Sequence, residues 1–169
     1  MIKAIVFDLD DTLLDTSGLL IPIAETPEFF LRIQRPLPLM PGALENLHYL
    51  KPKYHLILMT QGKIPVQKQK IVSLGIEVLF HQIVYVDIEA NENKQMAFEN
   101  LIQSGHLTKG KFLSVGNRLS TDIREAKRSG GFTCWFKYGE HQDEKPRFPE
   151  DFPDYTVLSH QEIISTCHL

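Results

Sequence analysis

At 169 residues, 43% of them hydrophobic and 23% charged, the chain suits one compact domain with a single sizeable core. A formal net charge of −3 offers no basic footprint for nucleic acid, and no apolar run reaches the length of a membrane span or of a secretory leader. Two cysteines, Cys134 and Cys167, make neither a disulfide scaffold nor a metal pattern, so a soluble cytoplasmic protein is expected, with neither membrane nor nucleic acid as a partner.

The chain opens on Ala4-Ile5-Val6-Phe7, an apolar run that reads as a short strand buried on both faces. At its exit it turns acidic, with Asp8, Asp10 and Asp11. If the backbone stays extended, the side chains of Asp8 and Asp10 start on the same side. Two carboxylates that close repel each other unless a cation or a shared proton intervenes, and hard oxygen donors of this kind suit Mg²⁺. A plainer reading of the same residues is that Asp11 or Thr12 caps a following turn.

Residues 19–39 are apolar but punctuated by Pro22, Pro27, Pro36 and Pro38. Thr26 as cap and Pro27 at the first position suit a short helix with Phe29, Phe30 and Ile33 on its apolar face. Leu44, Leu47 and Leu50 predict a buried stripe on a helix over 42–50. A strand over 55–59 ends in Thr60-Gln61-Gly62. The helix after it, 66–74, keeps its basic residues outward and closes on Gly75. A strand over 82–86 finishes at Asp87. The next helix, 92–104, has Met96, Phe98, Leu101 and Ile102 as apolar positions and Lys94 near its start. A strand over 111–115 ends at Gly116-Asn117, a helix over 121–129 is stopped by Gly130-Gly131, and 132–136 is a fifth strand. Residues 138–154 read as a polar, Pro-rich surface loop before an extended 155–158 and a last helix from His160. Lys63, Lys68 and Lys70, and Arg118, Arg124, Lys127 and Arg128, read as solvated helix faces. The seven histidines show no metal-ligand spacing.

Strands alternating with helices predict an α/β fold on a parallel sheet, whose ligands bind beyond the carboxyl ends of the strands. Those ends carry Asp8 and Asp10, then Thr60 with Gln61-Gly62, then Gly116-Asn117 leading to Asp122, while Lys94 enters from a helix start. A carboxylate nucleophile, a hydroxyl with free amides, an ammonium and a second acid form an inventory for handling phosphate.

Asp8-Leu9-Asp10-Asp11-Thr12, Thr60, Lys94 and the 116–122 stretch from Gly116-Asn117 to Asp122 resemble, in order and spacing, the four motifs of the haloacid dehalogenase (HAD) superfamily. The resemblance covers nearly the whole chain. It implies a Rossmann-like three-layer fold with a central parallel sheet, and a Mg²⁺-dependent phosphatase acting through an aspartyl-phosphate. By this resemblance Asp8 is the nucleophile, and Asp10 is the general acid/base, for which a raised pKa is expected. Thr60, with Gln61 beside it, would bind a phosphoryl oxygen, and Lys94 would neutralise charge on phosphate and nucleophile. The metal set would be Asp8, Asp10 through its backbone carbonyl, Asp122 and Asn117. Asn117 stands where the family usually has an acid; it either lends a neutral oxygen to the metal or only shapes the turn. The presence of Asp10 favours phosphotransfer over carbon–halogen cleavage.

One HAD-like domain over 1–169 is expected, capless or minimally capped, with a small 14–39 insert in place of a full cap. Its substrate would be a small phosphorylated metabolite or a phosphorylated macromolecule. The alternative is a catalytically weak member that binds a phosphorylated ligand or protein partner.

Overall fold

β1 (Ala4–Phe7) is buried at all four positions, and the rest of the sheet is laid out on either side of it. The computed structural model describes all 169 residues. β2 (His55–Gly62) and β4 (Phe112–Gly116) flank β1, both parallel, with Ala4 paired to His55 on one side and Phe112 on the other. β3 (Gln82–Asp87) lies beyond β2, and β5 (Phe132–Phe136) and β6 (Tyr155–Val157) beyond β4. The order is therefore β3-β2-β1-β4-β5-β6, all parallel. The matched registers bring the carboxyl ends of β1 and β4 out side by side, where a doubly wound sheet leaves its ligand crevice.

Alternation along the strands divides the core in two. Ile5, Phe7, Leu56, Leu58, Leu113 and Val115 face the larger apolar cluster, and Ala4, Val6, Ile57, Met59 and Phe112 face the smaller. The larger side is covered by α3 (Ala43–Leu50), α4 (Ile64–Leu74) and α7 (His160–Thr166), the smaller by α5 (Lys94–Gln103) and α6 (Arg124–Arg128). The insert holds α1 (Thr16–Leu19), a 3₁₀ turn and α2 (Glu28–Ile33). Its Leu20, Ile33, Leu37 and Met40 join the larger core, and the Met40 amide donates to the Leu13 carbonyl at 2.8 Å.

Several local expectations are corrected. The buried stripe of α3 is Ala43, Asn46, Leu47 and Leu50, with Leu44 exposed. Asn46 takes the inward position because its amide donates to the His160 carbonyl, while the His160 ring reaches the Thr12 carbonyl at 2.7 Å. In α2, Phe30 is exposed while Ile33 is buried, and the Thr26 hydroxyl donates back to the Ile23 carbonyl instead of capping the helix. α5 starts two residues late, with Asn93 accepting from the Met96 amide, and Met96 is exposed. The helix foreseen over 121–129 is a wide turn of helix (Leu119–Ile123) running into α6. Nor are the basic clusters uniformly solvated: Lys70 is buried, and Arg124 pairs with the buried Asp151. Cys134 and Cys167 are buried free thiols. No helix is long and apolar enough to cross a membrane.

Candidate active site

Asp8 follows β1 directly, and its amide donates to the Val115 carbonyl at 2.9 Å, so the extended pairing with β4 carries one residue past the strand. The even position sends its side chain to the α5 side of the sheet. There Lys94, 4% exposed, places its Nζ 2.6 Å from Asp8 Oδ1 and also donates to Asp122 Oδ1. Asp122 is held from behind: its Oδ2 accepts from the Arg118 amide at 3.0 Å, and its carbonyl accepts from the Ser114 hydroxyl. A methyl at position 116 would collide with the Asp122 carboxylate, so the glycine there lets the acid close over the strand end.

This side of the site has two buried carboxylates for one ammonium. Burial, and then the charge of Asp122, push the Asp8 carboxyl up to about 7 against the pull of Lys94. Burial opposes the charge on Lys94, but Asp122 and Asp8 outweigh it and hold the ammonium above its ordinary value.

The Asp10 side is built differently. Asp11 takes a left-handed conformation (φ 54°), and the chain folds back with the Leu13 and Leu14 amides on the Leu9 carbonyl. Asp11 accepts from both the amide and the hydroxyl of Ser17, so it does close the turn into α1. Asp10 Oδ1 accepts from Lys70 Nζ at 2.7 Å and from the Thr16 hydroxyl; Oδ2 accepts from Gln67 Nε2 at 2.8 Å. The expected raised pKa is overturned here. Burial alone would raise it, but the Lys70 charge, with hydrogen bonds from Lys70, Thr16 and Gln67, holds the carboxyl below its ordinary value.

Asp8, Asp10, Gln61, Lys94, Asn117 and Asp122 all line one crevice of about 130 Å³ whose wall contains no hydrophobic residue. Asp11, Thr16, Arg118, Thr121, Glu140 and His141 make up the rest of its lining. The strand expected to end before Thr60 runs on to Gly62, so Thr60 lies inside β2 with 1% exposure, outside that wall, and its hydroxyl accepts from Gln67 Nε2. Asn117 is buried; its carbonyl accepts from Trp135 Nε1 at 2.8 Å, and its side-chain amide stands 3.5 Å from the Tyr138 carbonyl. A larger cleft of about 480 Å³, between residues 38–41 and 158–161, contains none of these groups.

No three His, Cys, Asp or Glu side chains converge into a closed metal cage. Asp8 and Asp122 do converge, and Mg²⁺ is commonly held by one or two carboxylates together with water and phosphate, so the donor set fits an open Mg²⁺ site. The excess negative charge around Asp8 points the same way. Gln67 was not singled out from the sequence, and Lys70 was read there only as part of a solvated basic face. The available signal was a pair of polar residues spaced like Ile71 and Leu74 on the inward stripe of α4.

No family model matches the chain. Among curated proteins it is 29% identical over 126 residues to a glyceraldehyde 3-phosphate phosphatase of Methanopyrus kandleri, covering 73% of this chain and 54% of that one. A glyceraldehyde 3-phosphate phosphatase of Pyrococcus abyssi is 33% identical over 103 residues, 60% of this chain and 43% of the other. The HAD-hydrolase YfnB of Bacillus subtilis is 26% identical over 131 residues, 74% and 52%. The chain thus spans about half the length of the curated relatives it matches. The crystal structure of YfnB, bound to magnesium, superposes with a TM-score of 0.71 at 20% identity over 97% of both chains, which establishes the shared fold. The chain is thus similar in sequence to haloacid dehalogenase-like hydrolases and shares their fold, with the acids and Asn117 of its motifs at the carboxyl ends of β1 and β4.

Proposed function

We propose that this chain is a Mg²⁺-dependent phosphomonoesterase working through an aspartyl-phosphate on Asp8. The observation that carries the reading is one buried ammonium, Lys94, set between Asp8 and Asp122 at the ends of the central strands, with Asp10 in the same crevice. An oxygen of Asp8 attacks phosphorus and the ester oxygen leaves. The proton taken up by that oxygen enters with the substrate monoanion and passes through Asp10. Asp10, ionised again, then takes a proton from water as the water attacks phosphorus and the bond from phosphorus to Asp8 breaks; inorganic phosphate carries that proton away, and Asp8 and Asp10 are both restored as carboxylates. An Asp10 held ionised suits this second half directly.

Lys94, Thr60 and Gln61 are the proposed phosphate contacts. The Thr60 hydroxyl accepts from Gln67 and keeps its own proton to donate. Asp8, the Asp10 carbonyl and Asp122 would hold Mg²⁺, with Asn117 as a neutral oxygen beside them; when bound, the ion would supply charge neutralisation at the phosphoryl oxygens. The 14–39 insert takes the place of a full cap in a single 1–169 domain, a reading supported by the way its apolar residues merge into the main core. The relatives named as glyceraldehyde 3-phosphate phosphatases make small phosphorylated metabolites the first substrates to screen, ahead of phosphorylated macromolecules.

Hydrolysis of p-nitrophenyl phosphate with Mg²⁺ and with EDTA, for the native chain and Asp8→Asn, tests this. Metal-dependent turnover that disappears in the variant is expected; turnover that survives loss of Asp8 overturns the mechanism. Asn117, neutral where an acid is usual, favours one second reading, a weakly catalytic protein that binds a phosphorylated ligand. It would show no turnover with any divalent metal while inorganic phosphate still raised the melting temperature.

A further inference from the structure

α4 begins two residues after the end of β2 and carries two polar side chains into the interior, Gln67 at 3% and Lys70 at 6% exposure. A lysine is rarely buried this deeply without a partner, because stripping water from its charge must be offset by an opposite charge and by good hydrogen bonds. Lys70 has both in the Asp10 carboxylate. Gln67 holds the other carboxylate oxygen, and its amide also reaches the Thr60 hydroxyl and, at 3.4 Å, the Gln61 carbonyl. A side chain at Gly62 would crowd the Gln67 amide carbon at 3.2 Å, so the strand end is shaped to let Gln67 cross from helix to acid.

We infer that Lys70 and Gln67 are positioning residues that fix the orientation of the Asp10 carboxylate toward the leaving oxygen. The inference rests on the phosphatase reading above. Donors hold both Asp10 oxygens, while the side chain keeps 30% exposure and lines the crevice. A carboxylate tied at only one oxygen can rotate about its last bond, whereas one tied at both presents a single face to an incoming group. A misplacement of about 1 Å at a reacting group costs roughly a hundredfold in rate. The loss should therefore fall on the step in which Asp10 handles a proton and leave phosphate binding by Lys94 untouched.

The experiment uses the full chain with Mg²⁺ and compares p-nitrophenyl phosphate, which leaves easily, with phenyl phosphate, which needs its proton more. For Lys70→Met, kcat on phenyl phosphate is expected to fall roughly a hundredfold and on p-nitrophenyl phosphate about tenfold or less, with KM within about twofold. Gln67→Leu should show the same asymmetry at smaller size, and Lys70→Arg should recover most of the loss on both substrates. Melting temperatures are measured alongside; if Lys70→Met does not fold, Gln67→Leu decides. Unchanged kcat, equal losses on the two substrates, or an effect confined to KM overturns the inference while leaving the phosphatase reading intact. A native chain inactive on both substrates overturns that reading, and the inference with it.

Discussion

The two buried lysines of the site, Lys94 in the crevice wall and Lys70 behind Asp10, face opposite balances of charge. Lys94, on the β4 side, is shared between Asp8 and Asp122, so that half is short of positive charge. Lys70, on the β2 side, serves Asp10 alone and is helped by two neutral donors, so that half is balanced. The difference teaches where each half is open. On the proposed reading, the β4 side would receive a cation and a phosphoryl group, whereas the β2 side would hold one carboxylate still.

Removing a carboxylate from the short half breaks the comparison most sharply. Asp8→Asn should lower turnover by about a thousandfold or more, measured as steady-state phosphate release. It should also raise the metal-free melting temperature, since it relieves a buried like-charge pair. A melting temperature that falls would show that Lys94 already balances both acids. Next comes Gly116→Ala, which forces Asp122 away from Lys94; a loss of about 2 kcal/mol in urea unfolding is expected, along with loss of Mg²⁺-induced thermal stabilisation.

A pair outside the crevice supplies a reference. Arg124 donates from Nε and Nη2 to the two oxygens of Asp151 at 2.6 and 2.9 Å, and the Arg147 and Phe148 amides add two more bonds. The Arg124 hydrogen bonds chiefly, aided by those amides, outweigh burial and bring the Asp151 carboxyl down to about 2 from an ordinary 3.8. The folded pKa is depressed, so its contribution is complete above 3.8 and is lost as pH falls through about 2. Asp151→Asn should therefore cost about 2 kcal/mol at neutral pH and flatten the acid limb of the stability curve in that window. Smallest is Asn117→Asp, which adds charge to the half already short of cations and should tighten Mg²⁺ binding roughly threefold or more by calorimetry.

Much of this was legible along the chain because burial on both faces leaves an apolar run that ends abruptly. Ile5 to Phe7 and Leu56 to Met59 stand out for that reason, and the acids mark where β1 stops, while β2 runs past Thr60 to Gly62. Lys94 was legible by its place at a helix start among the other motif residues. Lys70 was not, because a helix carrying Lys68 and Lys70 reads as basic and outward, and nothing local says that an acid sixty residues earlier waits beneath it. Leu44 and Asn46 were exchanged for a similar reason: the leucine spacing counted apolar residues, while the fold needed an amide against His160. Asp10 was misjudged in its proton affinity because the sequence displays its anionic neighbours at once and its cationic one only through the fold.

The parallel registers around β1 also have a consequence in time. The strand at the centre of the sheet is made first, but one neighbour begins at His55 and the other at Phe112. A parallel pair cannot form by a hairpin, so β1 stays unsatisfied along one edge until more than a hundred residues have been synthesised. The segment that carries Asp8 thus leaves the ribosome before both of the strands that flank it and waits for the second of them. During that interval its unpaired apolar edge is open to chaperones and prone to aggregate.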